Sequence, residues 1–201
     1  MGYNQSHAKR SSTWTGWVQS AFYKSSWSTI SNEVMAAIHA FTQGNTRSMD
    51  KLNNALVVLL PKKVGTNCPA EFRPITMIHS FAKLISKLLA LRLAPRLHEL
   101  IATNQNAFIR TRSIHDNYKY LQRAAVLIRK KKVSMLLLKL DISKAFDTLS
   151  WPFLLDTLHT WGFDQTWRRW IETLLSTATS RIILNGQKGP PIRHLRGVCQ
   201  G

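Results

Sequence analysis

Residues 133 to 142, VSMLLLKLDI, alternate so that one face of an extended strand would be wholly apolar. Side chains along a strand point to opposite faces in turn, so Met135, Leu137, Lys139 and Asp141 share one face and Leu136, Leu138, Leu140 and Ile142 the other. The apolar face is expected to pack on helices, which leaves the first face toward a cleft and delivers Asp141 to the strand's end. Asp147 follows within the same stretch, LDISKAFDTLSW. The expected fold is a mixed α/β (α+β) chain with a polar site at a strand end.

The bulk composition permits such a core. At 201 residues the chain is long enough for one domain, or for two incomplete lobes of a larger one. With 44% hydrophobic and 19% charged residues it does not read as disordered. Its 28 Lys+Arg against 10 Asp+Glu give a formal net charge of +18, which points to a polyanion partner, nucleic acid being the commonest. A membrane surface is the rival, but the longest apolar runs, such as Ala55 to Leu60, are far too short to span a bilayer. The N-terminal MGYNQSHAKRSS has no apolar core of a secretory signal, so an intracellular location, nucleus or cytoplasm, is expected. Cys68 and Cys199 offer no disulfide framework, and with the histidines they show no zinc-binding spacing.

Along the chain, residues 1 to 24 read as an irregular lead-in. Ile30, Val34, Ile38 and Phe41 recur at helical spacing until Gly44 and Asn45 supply a stop. A strand over Ala55 to Leu60, a turn containing Gly65, Asn67 and Pro69, and a return strand over Phe72 to Ile78 follow. Phe81, Ile85 and Leu88 begin a helix that Pro95 must break or kink, and residues 113 to 129 are helical again. Beyond the 133–142 strand, Ser150 caps a helix with Pro152 in its first turn, Gly162 ends it, and Asp164 opens another. Arg181 to Leu184 and Pro191 to Arg196 flank NGQKG and read as a β-hairpin.

Two readings of Asp141 stand side by side: a Mg²⁺ ligand, since that ion takes hard oxygen donors, and a cap on the helical turn that starts near Ser143. Asp147 reads more simply as a solvated or locally bonded residue ahead of Ser150. Trp167, Trp170 and Leu174 lie at helical spacing and read as core rather than as platforms for bases.

LDISKAFDTLSW resembles the motif that opens the palm of reverse transcriptases, specifically those of plant LINE-type, non-LTR retrotransposons. FYKSSW at 22 to 27, LVVLLPKK at 56 to 63, EFRPITMIHSFAKLISKLLALRLAP at 71 to 95 and NQNAFIRTRSIHDN at 104 to 117 agree in order and spacing. IRHLRGVCQG at 192 to 201 is similar to the start of the next palm motif. The resemblance implies fingers over about residues 25 to 132 and the first part of a palm over 133 to 201 of a right-hand polymerase, with the reverse transcriptase domain spanning about 55 to 201. It implies RNA-directed DNA synthesis on an RNA template and DNA primer, with deoxynucleoside triphosphates and Mg²⁺.

Residue by residue, the resemblance makes Asp141 the catalytic metal ligand, with the backbone carbonyl of Ile142 beside it. Two such ions, about 3.5 to 4 Å apart, activate the primer oxygen and neutralise the leaving pyrophosphate. Phe146 would lie beneath the sugar of the incoming nucleotide and leave no room for a 2′-hydroxyl; an ordinary core aromatic is the alternative. Lys62 or Lys63, with Arg73, would reach the triphosphate, against the alternative of a solvated hairpin. Gln200 and Gly201 would help form the nucleotide pocket, and Gly197 and Gly201 would allow close backbone approach, a plain hairpin end being the alternative. Arg110, Arg112, Lys119 and Arg123 are candidates to track template phosphates, or are plain surface charges. The RKKK run at 129 to 132 is either a small nuclear-import patch or a basic helix end facing its own dipole.

The pattern also has gaps. The family places an Asp-Asp pair on a later palm hairpin, and no Asp-Asp pair occurs in this sequence. STWTGWVQSA stands where the family carries a Gly-Pro-Asp-Gly loop. The expectation is an incomplete, truncated site that does not polymerise alone, with much of the Leu136 to Ile142 strand lacking packing partners and prone to aggregation. The rival from another class is a non-catalytic basic RNA- or DNA-binding module.

Overall fold

A computed structural model describes residues 20–66 and 68–198. Within them the fold is mixed α/β: a small sheet with several helices against it. The helices are α1 (Ser20–Ser25), α2 (Trp27–Thr42), α3 (Met49–Leu52), α4 (Ser80–Leu93), α5 (Leu97–Leu100), α6 (Ile114–Lys131), α7 (Ala145–Thr148), α8 (Trp151–Thr160) and α9 (Gln165–Ser176). The strands are β1 (Asn54–Pro61), β2 (Phe72–Ile78), β3 (Thr179–Leu184), β4 (Gln187–Lys188) and β5 (Ile192–Arg193).

β1 and β2 pair antiparallel from Ala55 opposite Ile78 to Pro61 opposite Phe72, so the hairpin read from the sequence is present. β1 also pairs in parallel with β3, Asn54 opposite Thr179 through Val58 opposite Ile183. The remaining edge of β3 takes β4 at one end and β5 at the other. Asn185 and Gly186 turn the chain between β3 and β4 with φ of 50° and 80°, the left-handed pair that a tight hairpin turn requires. The return arm is split rather than continuous from Pro191 to Arg196. Pro190 and Pro191 carry no N–H and cannot extend the ladder.

The core lies beside the sheet. Phe41 of α2, Met49 of α3, and Phe81, Ile85 and Leu89 of α4 are buried together. Trp167, Trp170, Ile171 and Leu174 of α9 pack against them, which bears out the core reading of that aromatic stripe. The Trp170 indole donates to the Thr42 carbonyl at 3.1 Å, so α9 is bonded to the end of α2 as well as packed on it. Asn53 joins helix to sheet: its Nδ2 donates to the Leu174 carbonyl at 2.6 Å and to Thr177 Oγ1 at 3.0 Å, while its own carbonyl accepts from the Thr179 amide at 3.1 Å.

Helix ends follow their local chemistry. Ser150 accepts from the Phe153 amide and Asp164 from the Trp167 amide, as their cap positions predict. Gly44, at φ +86°, ends α2. Pro95 falls in a 3₁₀ turn, Ala94–Arg96, directly after α4. Residues 20 to 24, assigned to an irregular lead-in, are helical within α1; residues 1 to 19 of that lead-in lie outside the described residues, as does Asn67.

The main correction concerns residues 133 to 142. They form no strand and pair with none among the described residues, and they are exposed, Leu136 at 84% and Leu140 at 79%. Among the described residues nothing covers their apolar face, so the packing on helices is not seen, whereas the expected exposure of Leu136 to Ile142 is. β1 is paired on both sides and the other edge of β3 is taken by β4 and β5, so neither offers the run a ladder, and it does not lie on the outer edge of β2. A strand without a partner leaves its backbone groups to water.

Candidate nucleotide site

After Asp141 the chain turns sharply. Lys144 adopts a left-handed conformation, φ 53° and ψ 38°, and the four-residue α7 follows, carrying Phe146 and Asp147. Left-handed backbone costs an L-residue about 1 to 2 kcal/mol, a strain that tends to persist where surrounding contacts fix it. Those contacts come from the far end of the chain. The Gly197 amide donates to the Leu149 carbonyl and the Val198 amide to the Phe146 carbonyl, each at 2.8 Å. The Trp151 indole donates to the Gly197 carbonyl at 2.7 Å.

Glycine at 197 is required twice over. Its φ is +78°, and a Cβ there would stand 2.7 Å from the Asp147 carbonyl oxygen and 2.8 Å from that of Phe146. The close backbone approach expected of Gly197 is therefore present, and its partner is the α7 turn. Phe146 itself is 45% exposed, so it is not a buried core ring. Gln200 and Gly201 lie outside the described residues.

The β1–β2 hairpin gathers the three expected triphosphate contacts at one end. Lys62 and Lys63 follow β1, and Arg73 sits near the start of β2 opposite Leu60. The Lys62 ammonium donates to the Ala70 carbonyl at 2.7 Å, bracing the hairpin loop. Lys63 and Arg73 are exposed.

Asp141 and Ile142 are exposed on the unpaired run. No group of three His, Cys, Asp or Glu side chains converges on a point where a metal ion could sit, among the described residues. A pair of Mg²⁺ ions needs several hard oxygen donors, and one carboxylate at a strand end cannot hold two such charges together. Among the described residues the donors do not fit a two-ion centre.

The basic residues divide by geometry. The Arg112 guanidinium donates to the carbonyls of Ala102, Gln105 and Ile101 at 2.6, 2.8 and 3.1 Å. It is a clamp on the loop ahead of α6, a role that neither reading of it anticipated. Lys119 lies 3.9 Å from Asp116. Arg110 and Arg123 are exposed, and Arg129, Lys130 and Lys131 form the last turn of α6, where positive charge suits the helix dipole. Among the described residues no helix is long and apolar enough to cross a membrane.

Comparison with known proteins places the chain in a family. Residues 60–201 match the reverse transcriptase (RNA-dependent DNA polymerase) family. An uncharacterized 149 kDa protein of transposon TX1 from Xenopus laevis is 27% identical over 181 residues, 90% of this chain and 14% of that protein. The retrovirus-related Pol polyprotein of a type-1 retrotransposable element R2 from Nasonia vitripennis is 32% identical over 144 residues, covering 72% of this chain and 14% of its own length. The corresponding polyprotein of the type-2 element R2DM from Drosophila melanogaster is 27% identical over 147 residues, 73% of this chain and 14% of the polyprotein. The chain belongs to the reverse transcriptase family and is related to the Pol proteins of non-LTR retrotransposons. It spans about 14% of the length of each of these three relatives.

Proposed function

We propose that these residues form the nucleotide-entry side of an RNA-directed DNA polymerase from a plant LINE-type element, with fingers over about 25 to 132 and the opening of the palm over 133 to 201. The observation that carries the reading is the bonding of Gly197 and Val198 to the Phe146–Leu149 turn, which joins two motifs far apart in sequence at one place. In this reading Phe146 lies beneath the deoxyribose, Gln200 and Gly201 line the same pocket, and the β1–β2 hairpin grips the triphosphate. Lys63 and Arg73 are the gripping pair, because the Lys62 ammonium is engaged with Ala70. Asp141 and the Ile142 carbonyl are the contacts this chain would offer to Mg²⁺.

Alone, the chain binds an RNA template annealed to a DNA primer, in the nucleus or cytoplasm, without extending the primer. A second reading, a non-catalytic basic RNA- or DNA-binding module, is favoured by the exposed basic end of α6. One experiment separates them: titrate a labelled template–primer with the chain over a range of salt, then add deoxynucleotides and Mg²⁺. The polymerase-segment reading expects binding that weakens steeply with salt, a preference for deoxynucleotides in the complex, and no extension. Extension that Asp141→Ala abolishes would overturn the non-polymerising claim. Salt-dependent binding without any nucleotide preference would favour the binding module.

A further inference from the structure

We infer that Trp151 is a positioning residue for deoxynucleotide selection, acting through the backbone of Gly197; the inference rests on the proposed pocket at Phe146. The Gly197 carbonyl and the Val198 amide belong to one peptide unit. That unit is gripped at both ends, its oxygen by the Trp151 indole at 2.7 Å and its N–H by the Phe146 carbonyl at 2.8 Å. Glycine at φ +78° has no side chain to resist rotation, so the two bonds are what orient the peptide.

The indole is well founded. Trp151 opens α8, whose start is set by the Ser150 cap and a proline in the first turn. α8 buries Leu158 and packs on α9, which in turn packs on the core. The bond thus connects the rigid part of the fold to the most pliable residue beside the Phe146 turn. If the indole N–H is lost, the Gly197 carbonyl has no donor and the peptide can rotate about the Val198 N–H bond, although the Gly197 amide stays on Leu149. That motion shifts Phe146 through the Val198 bond, and a sugar-discriminating contact is sensitive to such small displacements.

The test uses Trp151→Phe and a second variant with 3-benzothienylalanine at position 151, in which sulfur replaces the indole N–H and the ring shape is kept. For each protein bound to an RNA template–DNA primer, affinities are measured for a deoxynucleoside triphosphate and for its ribonucleoside counterpart. Their ratio is independent of the folded fraction, so a purely structural loss does not move it. The expected result is a deoxy-over-ribo preference about fivefold lower in both variants, the effect of one ordinary hydrogen bond, with template–primer affinity unchanged. A ratio equal to that of the wild type in both variants overturns the inference while leaving the pocket intact. A wild-type chain with no sugar preference overturns the pocket reading itself, and the role of Trp151 with it.

Discussion

The Val198 amide donates to the Phe146 carbonyl across 2.8 Å, and this bond ties the turn after Asp141 to the stretch that leads into Gln200. The two segments meet backbone to backbone, so the contact depends on the absence of a side chain at position 197. Sequence-local elements on either side could form without it, but they would not share a site.

Gly197→Ala should therefore be costly. Left-handed strain contributes about 1 to 3 kcal/mol, and the clash with the Asp147 and Phe146 carbonyls adds to it. Gly65, at φ +79° with nothing within 4 Å of where a methyl would stand, is the natural control, and Gly65→Ala should cost only that strain, about 1 to 3 kcal/mol. Urea unfolding of the two variants measures the difference, and equal losses would mean that the 146–149 turn yields easily.

Asn53→Ala should destabilise the chain by about 1 to 3 kcal/mol, because it leaves the Leu174 carbonyl and the Thr177 hydroxyl without their buried donor. The same residue starts the β1–β3 pairing. Amide exchange at Thr179 should accelerate along with the fall in denaturation midpoint.

How much of this was legible beforehand follows from where the forces act. The hairpin β1–β2, the caps at Ser150 and Asp164 and the apolar stripe of α9 rest on neighbouring residues, and periodicity exposes them. The parallel pairing of Asn54 with Thr179 involves no local signal. The 133–142 run has a strand's alternation but lacks a strand's partner, which no pattern within the run can reveal. At the site, Gly197 announced a close approach; Trp151 did not, because a tryptophan at a helix start looks like core until the carbonyl it bonds is known. Arg112 misled in the same way, as a guanidinium suited to phosphate is equally suited to three backbone carbonyls.

His79 caps α4 by accepting the Phe81 amide on Nδ1 at 3.2 Å, and only the neutral ring can accept there. Burial lowers its pKa from the ordinary value of 6.5. The unfolded chain thus takes up this proton at a higher pH than the folded one. Its contribution to stability is fully present above about pH 6.5, declines as pH falls, and is flat again below the lowered folded pKa. Urea denaturation at pH 7.5 and pH 5 should show the wild type losing more stability on acidification than His79→Asn, which keeps a capping oxygen without the titration. An identical loss in both would remove His79 from the pH dependence.

The bare leucines of the 133–142 run present an unpaired strand with an apolar face, a template for association. Leu138→Lys combined with Leu140→Lys should raise solubility several-fold with little change in thermal midpoint, since neither side chain is buried. A large drop in midpoint would show instead that the leucines are packed.

The most direct measurement of the central claim is the sugar preference of Phe146→Ala. Binding of a deoxynucleoside triphosphate and of its ribonucleoside counterpart is compared for the wild type and this variant, each on an RNA template–DNA primer. If Phe146 and the Gly197–Val198 segment form the nucleotide pocket, the wild type favours the deoxy form and Phe146→Ala binds both sugars alike. An undiminished preference in Phe146→Ala would contradict the account.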